Sequence, residues 1–383
     1  MKDLKIIVPE NARDLGMDVC RHLKKIREEE ALENGEKFDE EEYLIIPELP
    51  RFNNGESKCI IPESVRDKDL YILSDVSNDS ITYKLRGKEH NMGPDEHFMD
   101  ILRILSADCG HAYKRTLIMP YLYASRQDRK ETRESLDCAM ALQWLVSQKT
   151  NEIVTFDVHN KGVMNAVPGT PFENVYLTDT MLTDLILREQ IFDYENIICI
   201  APDEGAMKRA RFFSEVLDDA VMAAFYKYRS QKILNGNGQI REHRFLGDPD
   251  DLVGKRAIVT DDMIDTGGSI LDTAKQLTEL GVEEVYLMAT FAFFSKGIDK
   301  FSEYYEKGYF KKVYSTNLVY VSPEIRKQPW FEIVDCSRNI AYIINNLNKG
   351  RSIGEIIQGR DDVLRKVRSI REQQMSTGNG EVK

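Results

Sequence analysis

Short runs rich in β-branched residues alternate along most of this chain with longer stretches whose apolar residues recur at helical spacing, and that alternation admits few folds. The strand candidates are Lys5–Val8, Tyr43–Ile46, Leu70–Leu73, Thr116–Met119, Glu152–Phe156, Ile197–Ile200, Val221–Phe225, Arg256–Thr260 and Val285–Ala289. Helices are expected over His97–Ala107, Asp137–Ser147, Asp179–Arg188, Glu204–Leu217 and Ser269–Leu280, the last closed by Gly281. Helices that follow strands in both halves imply α/β domains, each a mainly parallel sheet flanked by helices. The turn-rich Val167-Pro168-Gly169-Thr170-Pro171 leads to a boundary near residue 175, giving domains over 1–175 and 176–350. A helix near 336–347 is expected to pack back on the first domain, and 351–383 reads as a charged tail.

With 383 residues, 42% hydrophobic and 30% charged, the chain has material for two cores. Its formal net charge of -12 argues against a sequence-independent grip on nucleic acid or on an acidic membrane face, both of which need a basic surface. Cys20, Cys59, Cys109, Cys138, Cys199 and Cys336 are scattered without paired spacing, so neither a disulfide framework nor a zinc site is expected. No basic-then-apolar leader opens the chain and no apolar run approaches roughly 18 residues, which fits a cytoplasmic protein without a membrane partner. Three segments read as peripheral: a polar excursion over Ser77–Glu96 that ends in a helix starting near Pro94, a mobile loop over Gln231–Asp251, and a frayed helix and tail beyond Gly359.

The most informative run is Ala257-Ile258-Val259-Thr260-Asp261-Asp262-Met263-Ile264-Asp265-Thr266-Gly267-Gly268-Ser269-Ile270. It reads as strand, acidic edge, tight loop and helix. Gly267 and Gly268 allow consecutive N–H groups to point outward, and the helix beginning at Ser269 adds its positive dipole end, so a phosphate dianion fits there. Thr266 and Ser269 supply hydroxyls beside Asp265. Asp261 and Asp262 are expected just past the strand's carboxyl end, where carboxylates suit the vicinal hydroxyls of a sugar. Phosphate plus diol suggests a phosphorylated ribose. A plain turn with an N-cap would explain the Gly-Gly pair but not the doubled acids before it.

This run resembles the phosphoribosyl diphosphate-binding motif shared by phosphoribosyltransferases and ribose-phosphate diphosphokinases. Five further segments resemble the second family. Tyr121-Leu122-Tyr123-Ala124-Ser125-Arg126-Gln127-Asp128-Arg129-Lys130 is similar to its Tyr-x-x-x-Ala-Arg-Gln-Asp-Arg-Lys signature, and Arg51-Phe52-Asn53-Asn54-Gly55-Glu56 to its adenine-binding Phe-x-Asp-Gly-Glu turn, with Asn54 where the family has Asp. Asp157-Val158-His159 resembles Asp-Leu-His. Ala201-Pro202-Asp203-Glu204-Gly205-Ala206-Met207-Lys208-Arg209-Ala210 resembles Ser-Pro-Asp-x-Gly-Gly-x-x-Arg-Ala, and Lys227 and Arg229 fall on two basic positions of the family's catalytic loop, with Tyr228 between them.

The resemblance implies two tandem phosphoribosyltransferase-like domains and transfer of the diphosphate of ATP to ribose 5-phosphate, with Mg2+ as cofactor. It implies ATP binding by Phe52, Asn54, Glu56, Arg126, Gln127, Asp128 and His159, and ribose 5-phosphate binding by Asp261, Asp262, Asp265, Thr266, Gly267, Gly268 and Ser269. Metal contacts fall to His159 and Asp203, and charge stabilisation in the transition state to Lys227 and Arg229. A homo-oligomer of dimers, up to a hexamer, is implied as well. The rival of a different class, a non-catalytic regulatory homologue, would be expected to have lost flap or metal residues that this chain keeps. A base-using phosphoribosyltransferase leaves the first half unexplained.

Overall fold

The computed structural model describes residues 2–38, 42–191, 194–217, 220–229 and 240–354, together with 365, 369 and 370; at 194, 227–229 and 240–243 it describes backbone only. The chain divides into two compact units, one of Met1–Tyr176, Asn317–Ser322 and Asp335–Ile357, the other including Leu177–Thr316 and Pro323–Val334.

The first unit opens with β1 (Leu4–Ile7), the long helix α1 (Arg13–Glu33) and β2 (Leu44–Ile45), then β3 (Asp69–Leu73). A hairpin, β4 (Thr82–Leu85) and β5 (Lys88–Asn91), precedes α2 (Pro94–Asp108). Next come β6 (Lys114–Ile118), α3 (Asp137–Ser147), β7 (Glu152–Phe156) and β8 (Phe172–Val175). The sheet has the order β2-β1-β3-β6-β7-β8 with every pair parallel. β3 and β7 are buried along their whole length, as parallel strands covered on both faces must be.

The second unit runs α4 (Thr178–Glu189), β9 (Ile197–Ala201), α5 (Met207–Val216), β10 (Val221–Arg229), β11 (Ile240–Leu246), β12 (Arg256–Ile264), α6 (Gly268–Glu279) and β13 (Glu284–Ala292). It continues through α7 (Asp299–Glu306), β14 (Lys312–Thr316), α8 (Pro323–Arg326) and β15 (Phe331–Val334). Its sheet order is β11-β10-β9-β12-β13-β14-β15, parallel except for the antiparallel edge strand β11. Without β11 and the hairpin, the two sheets repeat one plan. In each, the second strand lies to one side of the first and the remaining strands to the other.

A last helix, α9 (Ser337–Asn348), belongs to the first unit, where the buried Arg27 donates to Asn345 Oδ1 (3.2 Å) and Asn348 Oδ1 (2.6 Å).

Three expectations change. The Gln231–Asp251 segment is not all loop: Ile240–Leu246 forms β11, whose mixed polar sequence suits an edge strand paired on one side only. Ser77–Glu96 contains the β4–β5 hairpin, whose strands alternate too weakly in polarity to stand out from a loop. Asp261 and Asp262 do not follow the strand but lie within it, because β13 keeps pairing with β12 as far as Ile264↔Ala292. The tail beyond Gly359 and the Ser230–Gln239 part of the predicted loop lie outside the described residues, apart from 365, 369 and 370.

Candidate active site

In the second unit, the chain leaves β9 for β10 on one side and returns to β12 on the other, so the strand order reverses between β9 and β12. The crevice outside the carboxyl ends at such a reversal is where open α/β sheets hold ligands. Asp203 stands just past β9 and accepts hydrogen bonds from the Gly205 (3.0 Å) and Ala206 (3.3 Å) amides, which caps a 3-10 turn ahead of α5. On β12, burial first, then the neighbouring Asp262 and Asp203 carboxylates, raise the Asp261 carboxyl well above its ordinary range, while the Arg209 guanidinium opposes them. Three acids thus share a poorly hydrated corner, a place that attracts protons or hydroxyl donors.

The loop Asp265–Ser269 begins where β12 ends. The Asp265 carboxylate accepts from Ser295 Oγ (2.5 Å) and its carbonyl from the Ser295 amide (2.9 Å), which ties the loop to the chain beyond β13. Gly267 has φ 74°, and a Cβ there would stand 2.3 Å from the Phe301 ring. That ring is buried against Phe294 (centroids 4.8 Å apart) and Trp330 (5.6 Å). A Cβ on Gly268 would meet only Thr266 Oγ1, at 3.9 Å. The loop is therefore pressed on aromatic rings at one residue and open at the next. The first amides of α6 have no acceptor within the helix and carry its positive dipole end, so the open side is built for an anion.

β10 continues past its predicted end to Arg229, with Lys227 paired to His243 across β11 and a register shift between Tyr228 and Arg229. The side chains of Lys227 and Arg229 lie outside the described part of the structure.

In the first unit, the loops after the paired strands β6 and β7 meet. Asn160 Nδ2 donates to Asp128 Oδ2 (2.5 Å), while Asn160 Oδ1 accepts from the Gly162 amide (2.9 Å). The Asp128 side chain is almost fully covered, with Arg129 Nε at 3.8 Å. Asp128 therefore acts as a tie between loops. The same tie holds together the two loops, past the carboxyl ends of β6 and β7, that carry exposed Arg126, Gln127 and His159. Non-glycine residues with positive φ occur in both loops, Ala124 (55°) and Asp157 (40°).

The Phe52–Glu56 turn is held on the β4–β5 hairpin instead. The Phe52 amide donates to the Glu56 carbonyl (2.8 Å), Asn54 Nδ2 to Glu56 Oε2 (2.9 Å), and the Glu56 amide to Asn54 Oδ1 (3.1 Å). Phe52 keeps 47% of its surface exposed, unusual for a large apolar ring on a well-bonded turn. Asn160, Ser295 and Phe301 escape sequence reading, since none falls in a motif and each acts on a residue about thirty positions away or across the fold.

Comparison with known proteins bears on both units. Residues 4–148 match the model of the N-terminal domain of ribose phosphate pyrophosphokinase, and 244–358 match the phosphoribosyl synthetase-associated domain. A ribose-phosphate pyrophosphokinase of Gloeobacter violaceus is 30% identical over 314 residues, which span 80% of this chain and 84% of that protein. The chain belongs to the ribose-phosphate pyrophosphokinase family. A second member, from Nostoc sp., is 29% identical over 316 residues, 80% of this chain and 84% of its own length. The phosphoribosylpyrophosphate synthetase of Mycobacterium smegmatis shares the fold: its crystal structure superposes with a TM-score of 0.71 at 22% identity, covering 91% of this chain and all of that one. As in that fold, two phosphoribosyltransferase-like α/β units follow one another, each a mainly parallel sheet flanked by helices.

Proposed function

We propose that this chain is a ribose-phosphate diphosphokinase: the anomeric hydroxyl of ribose 5-phosphate attacks the β-phosphorus of ATP in line, AMP leaves, and phosphoribosyl diphosphate is formed. The observation that carries the reading is the Asp265–Ser269 cradle, open at Gly268 and set beside Asp261 and Asp262 at the strand-order reversal, in a chain of this family. The cradle takes the 5-phosphate and the acids align the ribose hydroxyls. In the first unit, Phe52 stacks on the adenine, Asn54, Glu56 and Gln127 read its edge, and Arg126 and His159 face the phosphates. Lys227 and Arg229 stabilise the charge that develops on the transferring diphosphoryl group.

The reaction calls for Mg2+, with Asp203 as its carboxylate contact and His159 beside the phosphates. Burial first, then the neighbouring carboxylates, raise the Asp261 carboxyl, and a divalent cation held at Asp203 would oppose that rise. Among the described residues no group of three or more His, Cys, Asp or Glu could hold a metal, which suits an ion bound mostly through substrate phosphates. When bound, magnesium neutralises phosphate charge.

The working form is a homo-oligomer in the cytoplasm; no helix among the described residues is long and apolar enough to cross a membrane. Quantifying AMP formed from ATP and Mg2+, with and without ribose 5-phosphate, tests the reading. Sugar-dependent AMP formation is expected. A purified protein that forms none would replace it with the regulatory-homologue reading.

A further inference from the structure

The contacts of the β4–β5 hairpin lead to one place. Its strands pair from Thr82↔Asn91 to Leu85↔Lys88 and close through Arg86 (φ 49°) and Gly87 (φ 79°), a tight turn with both central residues left-handed. A lone two-stranded hairpin is at best marginal in water, so its neighbours must hold it.

At its tip, the Arg86 amide donates to the Asn53 carbonyl (3.0 Å), and Leu85 Cδ1 lies 3.1 Å from where a Gly55 Cβ would be. Asn53 and Gly55 flank Asn54. At its base, Tyr83 Oη donates to Glu96 Oε1 (2.5 Å), and Glu96 Oε2 also accepts from the Gly93 amide (2.8 Å) at the start of α2. Between tip and base sits Arg51, the residue before Phe52. Its guanidinium lies 5.5 Å from the Tyr83 ring centroid and donates to Asp100 Oδ2 on α2 (2.5 Å), in a pair only 9% and 6% exposed. The Phe52–Glu56 turn is thus gripped from behind at Arg51, Asn53 and Gly55 while the Phe52 ring faces outward.

We propose that the β4–β5 hairpin is a buttress that pre-sets the Phe52–Glu56 turn for nucleotide, so that affinity for ATP is governed from Leu85 and Tyr83. The proposal rests on the reading of that turn as the adenine site. Fixing a binding turn beforehand removes the ordering cost from the binding step; a turn competent only a tenth of the time weakens apparent affinity about tenfold.

The hairpin leaves and re-enters at one point, since the Met92 amide donates to the Ile81 carbonyl (2.8 Å), so Thr82–Asn91 can be replaced by Gly-Gly in the full-length protein. Leu85→Ala is the milder variant and Leu85→Met the conservative one. Hydrogen exchange at the Phe52, Gly55 and Glu56 amides and the two Michaelis constants are the readouts. Faster exchange at these amides is expected in the replacement and in Leu85→Ala, with the Michaelis constant for ATP raised about tenfold and about threefold respectively. The constant for ribose 5-phosphate and turnover should stay within about twofold, and Leu85→Met should restore both readouts. Unchanged exchange overturns the buttress. Faster exchange with an unchanged ATP constant overturns its link to nucleotide. A parent enzyme with no sugar-dependent AMP formation, or a Phe52→Ala variant with a normal ATP constant, instead overturns the site reading, and exchange still decides the buttress.

Discussion

Adjacent glycines in the anion cradle should respond to the same substitution in opposite ways. Gly267→Ala forces a side chain into left-handed backbone, which costs roughly 1–2 kcal/mol, and drives its Cβ toward a Phe301 ring 2.3 Å away. Phe301 is packed among Phe294, Phe310 and Trp330, so making room for the methyl adds roughly 1–3 kcal/mol. For a unit of this size the sum lowers the thermal midpoint by roughly 5–15 °C. Gly268→Ala has ordinary backbone and only Thr266 Oγ1 within reach, so stability should stay within about 1 kcal/mol of the parent. Its methyl instead occupies the mouth of the cradle. Losing a charge-assisted amide bond to phosphate, at roughly 1.5–3 kcal/mol, raises the Michaelis constant for ribose 5-phosphate roughly 10- to 100-fold and leaves that for ATP nearly unchanged. Calorimetry and initial rates on both variants decide the matter. Equal thermal losses in the two, or a stable Gly268→Ala enzyme with normal sugar affinity, would refute the cradle.

Lys227→Ala should lower turnover about 100- to 1000-fold with modest changes in either Michaelis constant, because its charge acts on the transition state; near-normal turnover would move catalysis elsewhere. Phe52→Ala should raise the Michaelis constant for ATP about tenfold while that for ribose 5-phosphate holds, measured by initial rates. Burial pushes the Asp75 carboxyl up to about 6, against the hydrogen bonds it accepts from Ser77 and the Tyr320 amide. Between pH 4 and 6 the unfolded chain gives up this proton while the folded one keeps it, so this group's contribution to stability falls as pH rises, by on the order of 3 kcal/mol. Denaturant titrations of the parent and Asp75→Asn across that range should show the difference, and parallel pH profiles would contradict it.

What the sequence revealed depended on how local each feature is. β7 is read to the residue because Glu152–Phe156 is a dense apolar and β-branched run, and α3 because Asp137–Ser147 carries its stripe without interruption. The anion cradle is legible for the same reason: strand, acids, glycines and helix follow one another without a gap. β11, β14 and β15 are missed because they are short or mixed in polarity and are fixed by their pairing partners. The ties that shape the site are all distant in sequence. Asn160 reaches Asp128, Ser295 reaches Asp265, and the hairpin tip reaches Asn53, and no periodicity announces such pairs.

The two units close the same point of the repeated sheet plan differently. In the second unit, at the reversal between the first and third strands of the plan, β9 and β12, the loop after β12 is open at Gly268. At the matching place in the first unit, past β1 and β3, Asn11 Nδ2 donates to Ser74 Oγ (3.0 Å) and the Asp75 carbonyl (2.7 Å), and Asn78 Nδ2 donates to the Asn11 carbonyl (2.8 Å). These four side chains are buried, and Asp75 also receives the Tyr320 amide at 2.7 Å. The corresponding crevice is closed with the protein's own amides and hydroxyls. On the proposed reading, the nucleotide phosphates of the first unit lie instead beyond β6 and β7, the strands whose following loops carry Arg126, Gln127 and His159. One sheet plan used twice can thus differ in specificity by closing one mouth as much as by opening another.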